Sequence, residues 1–296
     1  MRILLAGATG QVGHELLRSL RNLGDAPTEI IAPGRDRFDL SDPAQCRRFI
    51  HDTKPALIVN AAAYTDVDRA ESESAMAMRI NAEAPAAMAE AAERIGAALV
   101  HFSTDYVFNG EASSPYREQD LADPINAYGR GKLAGEQAIA AAGIPHLILR
   151  TGWVYGMRGR NFLNSILHFA RTQETLRVVD DQFGTPTWCR TVADVTAQLL
   201  AMAQSAQDSA QWWREHGGLL HVTARGSTNR ANFARRIVDL AGLSAGVEIT
   251  PVSSDDYTTA AARPRYSVLD TGKLQRLCMP PQWDEALQRC MLERIA

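Results

Sequence analysis

The chain has 296 residues, of which 46% are hydrophobic, and its formal net charge at pH 7 is −3. This length predicts one large domain or two closely associated ones, since a domain usually has roughly 100–200 residues. The near-neutral charge argues against nucleic-acid binding, which normally shows a basic excess. The four cysteines are scattered without a zinc-like spacing, so we expect reduced thiols and no metal site.

The hydrophobic segments are all short. No apolar stretch approaches the roughly 18–20 residues that span a bilayer. The apolar run at residues 3–6 is also too short for the core of a signal peptide. We therefore expect a soluble, cytoplasmic protein without a membrane partner.

The first half of the chain alternates short apolar segments with helical patterns. Predicted strands lie at residues 2–6, 29–32, 56–61, 97–103 and 147–151. Predicted helices lie between them, at 10–23, 42–53, 70–95 and 126–142. Strands joined by helices of this length predict right-handed parallel crossovers, and hence an α/β fold with a Rossmann-type doubly wound parallel sheet.

The second half has a less regular pattern. We predict helices at 161–172, 190–204 and 232–240, strands at 177–179 and 219–223, a surface excursion at 205–218 and an irregular last fifty residues. Residues 1–150 are thus predicted to form an NAD(P)-binding domain. Residues 151–296 would form a smaller, partly interleaved substrate-binding domain, with parts of 175–223 returning to the sheet.

A glycine-rich turn follows the first predicted strand and opens a helix. Its glycines are Gly7, Gly10 and Gly13, with Gln11 and Val12 at the start of the helix. Glycines in this context permit a tight turn and close approach of the backbone to a pyrophosphate, and the helix N-terminus adds N–H donors. These five residues are predicted to bind a dinucleotide; an ordinary glycine-rich turn is the alternative.

The segment after the second predicted strand indicates which dinucleotide. It carries Arg35 and no acidic residue before Asp36. NAD enzymes place a carboxylate here for the ribose diol, whereas an arginine suits a 2′-phosphate. We therefore predict NADPH, with NADH as the open alternative, and expect Asp39 and Leu40 to border the adenine. A solvated loop position would also explain Arg35.

The third predicted strand ends in small residues. Ala62, Ala63 and Tyr64 follow Asn60 and would let the backbone lie close to the dinucleotide. We predict that these three residues bind the cofactor. Small residues at a strand–helix junction can also serve packing alone.

A tyrosine and a lysine four residues apart indicate the type of reaction. Tyr128 and Lys132 would lie on one face of a helix, and a nearby ammonium lowers the pKa of a phenol. Thr104 ends the fourth predicted strand, at the sheet edge where ligands bind. We predict that Tyr128 and Thr104 hold a ketone oxygen, Tyr128 protonates it, and Lys132 lowers the tyrosine pKa and holds the nicotinamide ribose. A turn hydroxyl is the alternative for Thr104.

Motifs along the whole chain resemble the dTDP-4-dehydrorhamnose reductases of the extended short-chain dehydrogenase/reductase superfamily. Ser-Thr-Asp-Tyr-Val-Phe at 103–108 and Asp-Gln-Phe-Gly-Thr-Pro-Thr at 181–187 are the most specific, and other matches lie at 7–13, 60–63, 67–71, 128–132, 150–155 and 262–265. The resemblance implies NADPH-dependent reduction of the C4 ketone of dTDP-4-dehydro-β-L-rhamnose, the last step of dTDP-L-rhamnose synthesis.

The resemblance also implies substrate residues and an assembly. Thr104, Asp105 and Trp153 would contact the sugar nucleotide, and Arg263 would pair with a phosphate, a solvated tail position being the alternative. A homodimer is implied, and some members bridge theirs with magnesium held by glutamates. Arg190 occupies a position at which a carboxylate would help to bind the metal ion, so we predict no structural metal.

Two other functions stay open at this stage. One is reduction of a different dTDP-4-keto-6-deoxyhexose. The other is a non-catalytic NADP-binding regulatory subunit, a role that loss of the Tyr–Lys pair would favour. Both Tyr128 and Lys132 are present.

Overall fold

The computed structural model describes residues 1–23 and 28–293, so the last three residues of the predicted second domain lie outside the described residues. Its strands, in chain order, are β1 (Arg2–Ala6), β2 (Glu29–Ile31), β3 (Leu57–Asn60), β4 (Ala98–Thr104), β5 (His146–Thr151), β6 (Val154–Tyr155), β7 (Thr175–Val179), β8 (Phe183–Gly184), β9 (Thr187–Trp188), β10 (Gly218–His221), β11 (Thr228–Asn229) and β12 (Glu248–Val252).

The α-helices are α1 (Gln11–Ser19), α2 (Pro43–Thr53), α3 (Val67–Ser72), α4 (Ser74–Met78), α5 (Ala84–Ile95), α6 (Ala127–Ala141), α7 (Phe162–Phe169), α8 (Cys189–Ser205), α9 (Ser209–His216), α10 (Arg230–Leu240), α11 (Gly272–Gln275) and α12 (Trp283–Leu292). Short 3₁₀ helices lie at Leu20–Asn22, Asp105–Val107 and Ser254–Asp256, and a π-helical turn lies at Arg79–Glu83. Within the described ranges, no helix is both long and apolar enough to cross a membrane.

The central sheet is parallel throughout its described part. Its strand order is β10-β5-β4-β3-β1-β2. The chain runs outward from β1 to β2 and then crosses to β3 on the other side of β1. In such a sheet the strand order reverses between β1 and β3, and ligands bind beyond the carboxyl ends of the strands at that point. The predicted doubly wound parallel sheet is confirmed.

Alternate residues of the strands pack into two separate hydrophobic cores. In β1, Ile3 and Leu5 join a cluster that includes α1 and α8, whereas Leu4 and Ala6 join a cluster that includes α2 and α5. All four are at most 1% exposed. Burial on both faces explains why the strands have continuous apolar sequences rather than an alternating pattern.

The chain beyond β5 builds a second body but also contributes to the first. A cluster around Tyr155 and Phe233 joins α7, α10 and α12 beside the short β6–β9 and β7–β12 pairs. However, β10 pairs with β5 in the central sheet, and α8 packs with α1. The boundaries of the two predicted domains stay a prediction.

Three predicted elements differ from the structure. The long helix predicted at 70–95 is broken into α3, α4, the π-helical turn and α5. The predicted surface excursion contains α9, which buries Trp212 in the core beside α8. The predicted irregular end contains α12, whose start carries a reciprocal capping box between Gln282 and Glu285.

Candidate active site

A cleft of about 650 Å³ opens at the carboxyl ends of β1, β2 and β3. Three segments line it: the turn after β1, the loop after β2 and the segment after β3. The predicted cofactor residues in its wall are Gly7, Arg35, Asp39, Leu40, Ala62, Ala63 and Tyr64. The sheet order therefore brings these separate segments of the sequence together.

The turn after β1 is shaped so that only glycine fits at two positions. Gly7 has φ +78°, and a Cβ atom on it would lie 2.7 Å from the Ala62 nitrogen. A Cβ atom on Gly13 would lie 2.0 Å from the Gly7 carbonyl oxygen. Gly10 is the N-cap residue of α1, and it provides no side-chain hydrogen bond to the N–H groups of the first helical turn. This arrangement fits the pyrophosphate of a dinucleotide, which would accept hydrogen bonds from those groups.

The next two residues of α1 face the second body. The Gln11 Oε1 atom accepts a hydrogen bond of 2.8 Å from the Asn161 side chain. Val12 packs, partly buried, against the apolar clusters of both bodies. The beginning of α1 thus lies where the two bodies meet.

The loop after β2 holds a cation and a carboxylate at the rim of the cleft. The Arg35 side chain is 76% exposed, and its Nε atom lies 3.5 Å from the Asp39 carboxylate. Asp39 also accepts a hydrogen bond from the Ser41 N–H. Burial tends to raise the pKa of Asp39, but the hydrogen bonds from Ser41 and the charge of Arg35 lower this pKa overall. Leu40 is buried beside them.

The segment after β3 is fixed by a residue that the sequence did not single out. The side chain of Asn81 accepts a hydrogen bond from the Tyr64 N–H and donates one to the Tyr64 carbonyl oxygen. Asn81 is 1% exposed and lies in the π-helical turn. Such turns occur frequently at functional sites. The helical pattern of 70–95 gave no signal for this role.

Thr104 and Tyr128 meet at the carboxyl edge of the sheet. Asn126 caps α6 by accepting a hydrogen bond of 2.8 Å from the Gly129 N–H, which places Tyr128 in the first turn of the helix. The Thr104 hydroxyl lies close enough to the Tyr128 phenol to influence its pKa. Thr104 also donates to the Asp105 carboxylate at 3.1 Å. The structure therefore brings this predicted pair together.

The pKa of Tyr128 is shifted upward, above its usual range. Desolvation is the main cause; the neighbouring Thr104 hydroxyl opposes it, and the Asp105 charge adds to it. The predicted lowering of this pKa by Lys132 stays a prediction. Sequence spacing places the two residues one turn apart, but it cannot show how strongly the phenolate would be desolvated.

Lys132 points into the sheet. It is 2% exposed, and its Nζ atom lies 3.1 Å from the His101 Nε2 atom and donates to the Phe102 carbonyl oxygen. Burial lowers the pKa of Lys132 to about 8. His101 is a second buried residue for which the sequence gave no signal.

A cluster of charged and aromatic groups adjoins Thr104. Asp105 is 3% exposed and accepts a hydrogen bond of 2.5 Å from Ser267, and burial raises its pKa to about 6. Trp153 has φ +47°, a strained value for a residue other than glycine, and strain of this kind concentrates at functional sites. The Arg230 guanidinium lies 3.6 Å from the centre of the Trp153 ring.

Tyr106 connects two arginines on the same side. It lies near both Arg230 and Arg263 and interacts electrostatically with each. Arg263 is also held by Asp68 through two bonds of 3.0 and 2.7 Å. Sequence reasoning selected Arg263 but missed Arg230, because nothing along the chain links residue 230 to the Trp153 ring.

Arg190 takes part in ion pairs. Its guanidinium contacts Glu15 at 2.8 Å and also pairs with Glu293. The hydrogen bonds from Arg190 help to lower the pKa of Glu15 against the opposing effect of burial. Residues 1–23 and 28–293 contain no group of three or more His, Cys, Asp or Glu side chains placed to hold a metal ion.

The sequence has full-length relatives. It is 42% identical to a dTDP-4-dehydrorhamnose reductase from Burkholderia thailandensis, with all of both chains covered. It is 40% identical to one from Salmonella typhimurium, over 99% of this chain and 98% of the relative. Known structures include a Clostridium acetobutylicum dTDP-4-dehydrorhamnose reductase, with a TM-score of 0.90 and 33% identity over all of both chains.

A second similar structure is the Bacillus anthracis dTDP-4-dehydrorhamnose reductase in complex with NADP, with a TM-score of 0.88 and 33% identity over 99% of each chain. A Thermus thermophilus UDP-glucose 4-epimerase, at 18% identity and a TM-score of 0.79 over 98% of each chain, shares the fold. The family described as RmlD substrate binding domain matches residues 1–295. With this match over nearly its whole length, the chain belongs to the RmlD substrate binding domain family.

Proposed function

We propose that this chain is a dTDP-4-dehydrorhamnose reductase, which reduces the C4 ketone of dTDP-4-dehydro-β-L-rhamnose in the last step of dTDP-L-rhamnose synthesis. The observation that carries the proposal is the placement of the Thr104 hydroxyl beside the Tyr128 phenol at the sheet edge where ligands bind. The names of the relatives, at about 40% identity over full length, support this substrate.

We propose NADPH as the cofactor. Gly7, Gly10 and Gly13 would hold the pyrophosphate, and the exposed Arg35 would pair with the 2′-phosphate. The Asp39 carboxylate is engaged by Ser41 and Arg35, which leaves it less available for a ribose diol. When bound, NADPH supplies the hydride. The NADP complex of the Bacillus anthracis relative supports this choice, with NADH as an alternative.

Tyr128 would act as the proton donor. Reduction of a ketone places negative charge on its oxygen, and that oxygen must then receive a proton. The raised pKa keeps the phenol protonated at neutral pH, as a donor requires. Thr104 would give a second hydrogen bond to the same oxygen by turning its single hydroxyl proton from Asp105, its present acceptor, to the substrate.

The second body would hold the sugar nucleotide. Trp153 and Asp105 would contact the sugar, with the Arg230 guanidinium stacked on the Trp153 ring. Arg230 and Arg263 offer fixed guanidinium groups that suit a diphosphate, because their positions are already set by Trp153 and Asp68. Arg230 is thus added to the predicted substrate residues.

The test is the Tyr128→Phe variant, assayed by the loss of NADPH absorbance with the dTDP-4-keto sugar. We expect turnover to fall by about 10²–10⁴-fold while NADPH binding, followed by fluorescence, is unchanged. Tyr155→Phe is the matched control, since it removes another buried hydroxyl, one in the core of the second body.

The outcomes separate the candidate functions. Full turnover by Tyr128→Phe would refute the proposed role of the phenol. NADPH binding by the wild-type protein without turnover would favour the non-catalytic role. NMR analysis of the product would distinguish rhamnose from another 6-deoxyhexose.

A further inference from the structure

One fully buried asparagine is bonded to two parts of the proposed substrate site. Asn126 is the N-cap residue of α6. Its Oδ1 atom accepts a hydrogen bond of 2.8 Å from the Gly129 N–H, and its Nδ2 atom donates one of 2.9 Å to the Ala262 carbonyl oxygen. Residues 126 and 262 are 136 positions apart, so this side chain joins the start of α6 to the distant segment that carries Arg263.

The chemistry of the two contacts allows only one orientation of this amide group. The Gly129 N–H can donate only to the side-chain oxygen, and the Ala262 carbonyl oxygen can accept only from the side-chain nitrogen. Turning the amide over would oppose two donors on one side and two acceptors on the other. That arrangement is costly for a side chain that is shielded from water. Asn126 therefore fixes both contacts at once.

On the α6 side, this cap positions the proposed proton donor. Tyr128 lies in the first helical turn, directly before Gly129, whose N–H is bonded to Asn126. The same turn packs tightly against the chain after β4, because a Cβ atom on Gly129 would lie 2.1 Å from the Tyr106 carbonyl oxygen. The Tyr106 and Tyr128 rings meet edge to face, with their centres 6.2 Å apart. The position of the Tyr128 phenol thus depends on where α6 begins.

On the other side, Asn126 holds the middle of a three-residue segment that ends in Arg263. The Asp68 carboxylate on α3 holds the two ends of this segment. It accepts hydrogen bonds from the Ala261 N–H at 3.0 Å and from the Arg263 guanidinium at 3.0 and 2.7 Å. Arg263 also donates to the Ala261 carbonyl oxygen at 2.6 Å. The Ala262 carbonyl group is thus the point at which the segment is tied to α6.

These contacts determine which donors of Arg263 can face a ligand. A guanidinium has five N–H donors in a fixed planar arrangement. Asp68 and the Ala261 carbonyl oxygen take three of them, two on Nη1 and one on Nη2. The other two, on Nε and Nη2, lie along one edge of the planar group, and such an edge matches two oxygens of a phosphate. Because the guanidinium is rigid, a shift of the segment would turn this edge away from its ligand.

We propose that Asn126 is a positioning residue that holds the Tyr128 phenol and the Arg263 guanidinium in a fixed relation to each other. Binding of the diphosphate by Arg263 then brings the sugar of the same molecule to the phenol. This role rests on the proposed function, in which Arg263 binds the diphosphate of the sugar nucleotide.

The first measurement is calorimetric binding of dTDP, a nucleoside diphosphate without the sugar, to the full-length protein in the presence of NADPH. Asn126→Ser keeps a cap acceptor, but its side chain is too short to reach the Ala262 carbonyl oxygen while it caps α6. We expect its Kd for dTDP to rise about three- to tenfold, the effect of one neutral hydrogen bond, with the Kd for NADPH unchanged. Asp208→Ser, which changes the cap of α9, is the matched control and should bind dTDP like the wild-type protein. Asn126→Thr, a second uncharged cap, gives the same test if Asn126→Ser does not fold.

A double-mutant cycle shows whether Asn126 acts through Arg263. Arg263→Ala alone should weaken dTDP binding by about tenfold or more, since it removes hydrogen bonds from a charged group. If Asn126 acts through this arginine, Asn126→Ser should cause no further loss of dTDP binding in the Arg263→Ala protein. A loss of the same size in both backgrounds would overturn the proposal, as would an unchanged Kd for dTDP in Asn126→Ser alone.

Turnover gives a second readout. With the dTDP-4-keto sugar, Asn126→Ser should raise the KM by the same factor as the Kd for dTDP, while kcat stays within about twofold, because the cap of α6 is kept. Asn126→Ala also lacks the cap, so its kcat should fall below that of Asn126→Ser. Equal kcat values for the two variants would overturn the proposed effect of Asn126 on Tyr128.

The binding results are separable from those that test the proposed function. If the dTDP cycle fails while Tyr128→Phe abolishes reduction, the proposed function stands and Asn126 is only a helix cap. If the dTDP cycle holds while the wild-type protein reduces no dTDP-4-keto sugar, Asn126 positions a nucleotide-binding arginine and the proposed function is wrong.

Discussion

The buried ion pair between Glu136 and Arg150 is the part of the site whose loss should be most costly to stability. The two side chains are 6% and 4% exposed and meet through two parallel hydrogen bonds. Removing one partner of a buried pair leaves an uncompensated charge, which destabilises by about 3–5 kcal/mol. Arg150→Met keeps the aliphatic stem and removes the guanidinium group, with its charge, its donors and its contact with the Phe108 ring.

The assay is urea unfolding followed by fluorescence, with an exposed pair as the control. Arg47 and Glu90 lie 3.2 Å apart but are 41% and 44% exposed, so Arg47→Met should change the free energy of unfolding by about 1 kcal/mol or less. The double variant Arg150→Met with Glu136→Leu should regain most of the loss, because no unpaired charge remains buried.

Two results would refute this reasoning. One is a loss for Arg150→Met no larger than that for Arg47→Met. The other is a double variant in which the two losses simply add, since coupled partners are expected to show a large interaction term. Either result would mean that water or another group compensates Glu136 when Arg150 is absent.

Three further changes test other parts of the site. Gly13→Ala should abolish NADPH binding in a fluorescence titration, because the new Cβ atom would lie 2.0 Å from the Gly7 oxygen and disturb the turn. Alanine ordinarily stabilises a helix by about 1 kcal/mol relative to glycine, so normal NADPH binding by this variant would contradict the prediction. Burial raises the pKa of Asp105, so the folded protein binds this proton more tightly and its free energy of unfolding falls as the pH rises from 3.8 to about 6. Denaturation across that range should show this fall as the difference between the wild-type protein and Asp105→Asn, because groups with lowered pKa values such as Asp39 and Glu15 contribute the opposite slope equally in both proteins. Arg35→Ala should lower the kcat/KM preference for NADPH over NADH roughly tenfold, the effect of one lost bond to a charged group, and an unchanged ratio would remove Arg35 from the cofactor argument.

The fold could be predicted because its signals are local. The apolar run of β1 and the glycine turn after it give the strand boundaries at Arg2–Ala6 without tertiary information. The helix at 70–95 could not be divided correctly, since the π-helical turn follows from the contacts of Asn81 with Tyr64. Trp212 was assigned to the surface because its neighbours are polar, and only the position of α9 against the core shows its burial.

The site was predictable where residues are close in sequence. The spacing of Tyr128 and Lys132 and the position of Thr104 at a strand end follow from helix and sheet periodicity. The contacts of His101 and Arg230 could not be predicted, because they join elements that are far apart in the chain. The upward shift of the Tyr128 pKa could not be predicted for a related reason, since desolvation is a property of the packed structure.

Two pKa shifts on the catalytic helix bear on the proton that reduction requires. Desolvation raises the pKa of Tyr128, so the phenol stays protonated until a ketone oxygen needs its proton. Burial lowers the pKa of Lys132 to about 8, which still leaves most of this amine protonated at neutral pH. A nearby positive charge stabilises the phenolate that remains after proton transfer. The Lys132 ammonium would therefore favour the release of the Tyr128 proton at the step that consumes it.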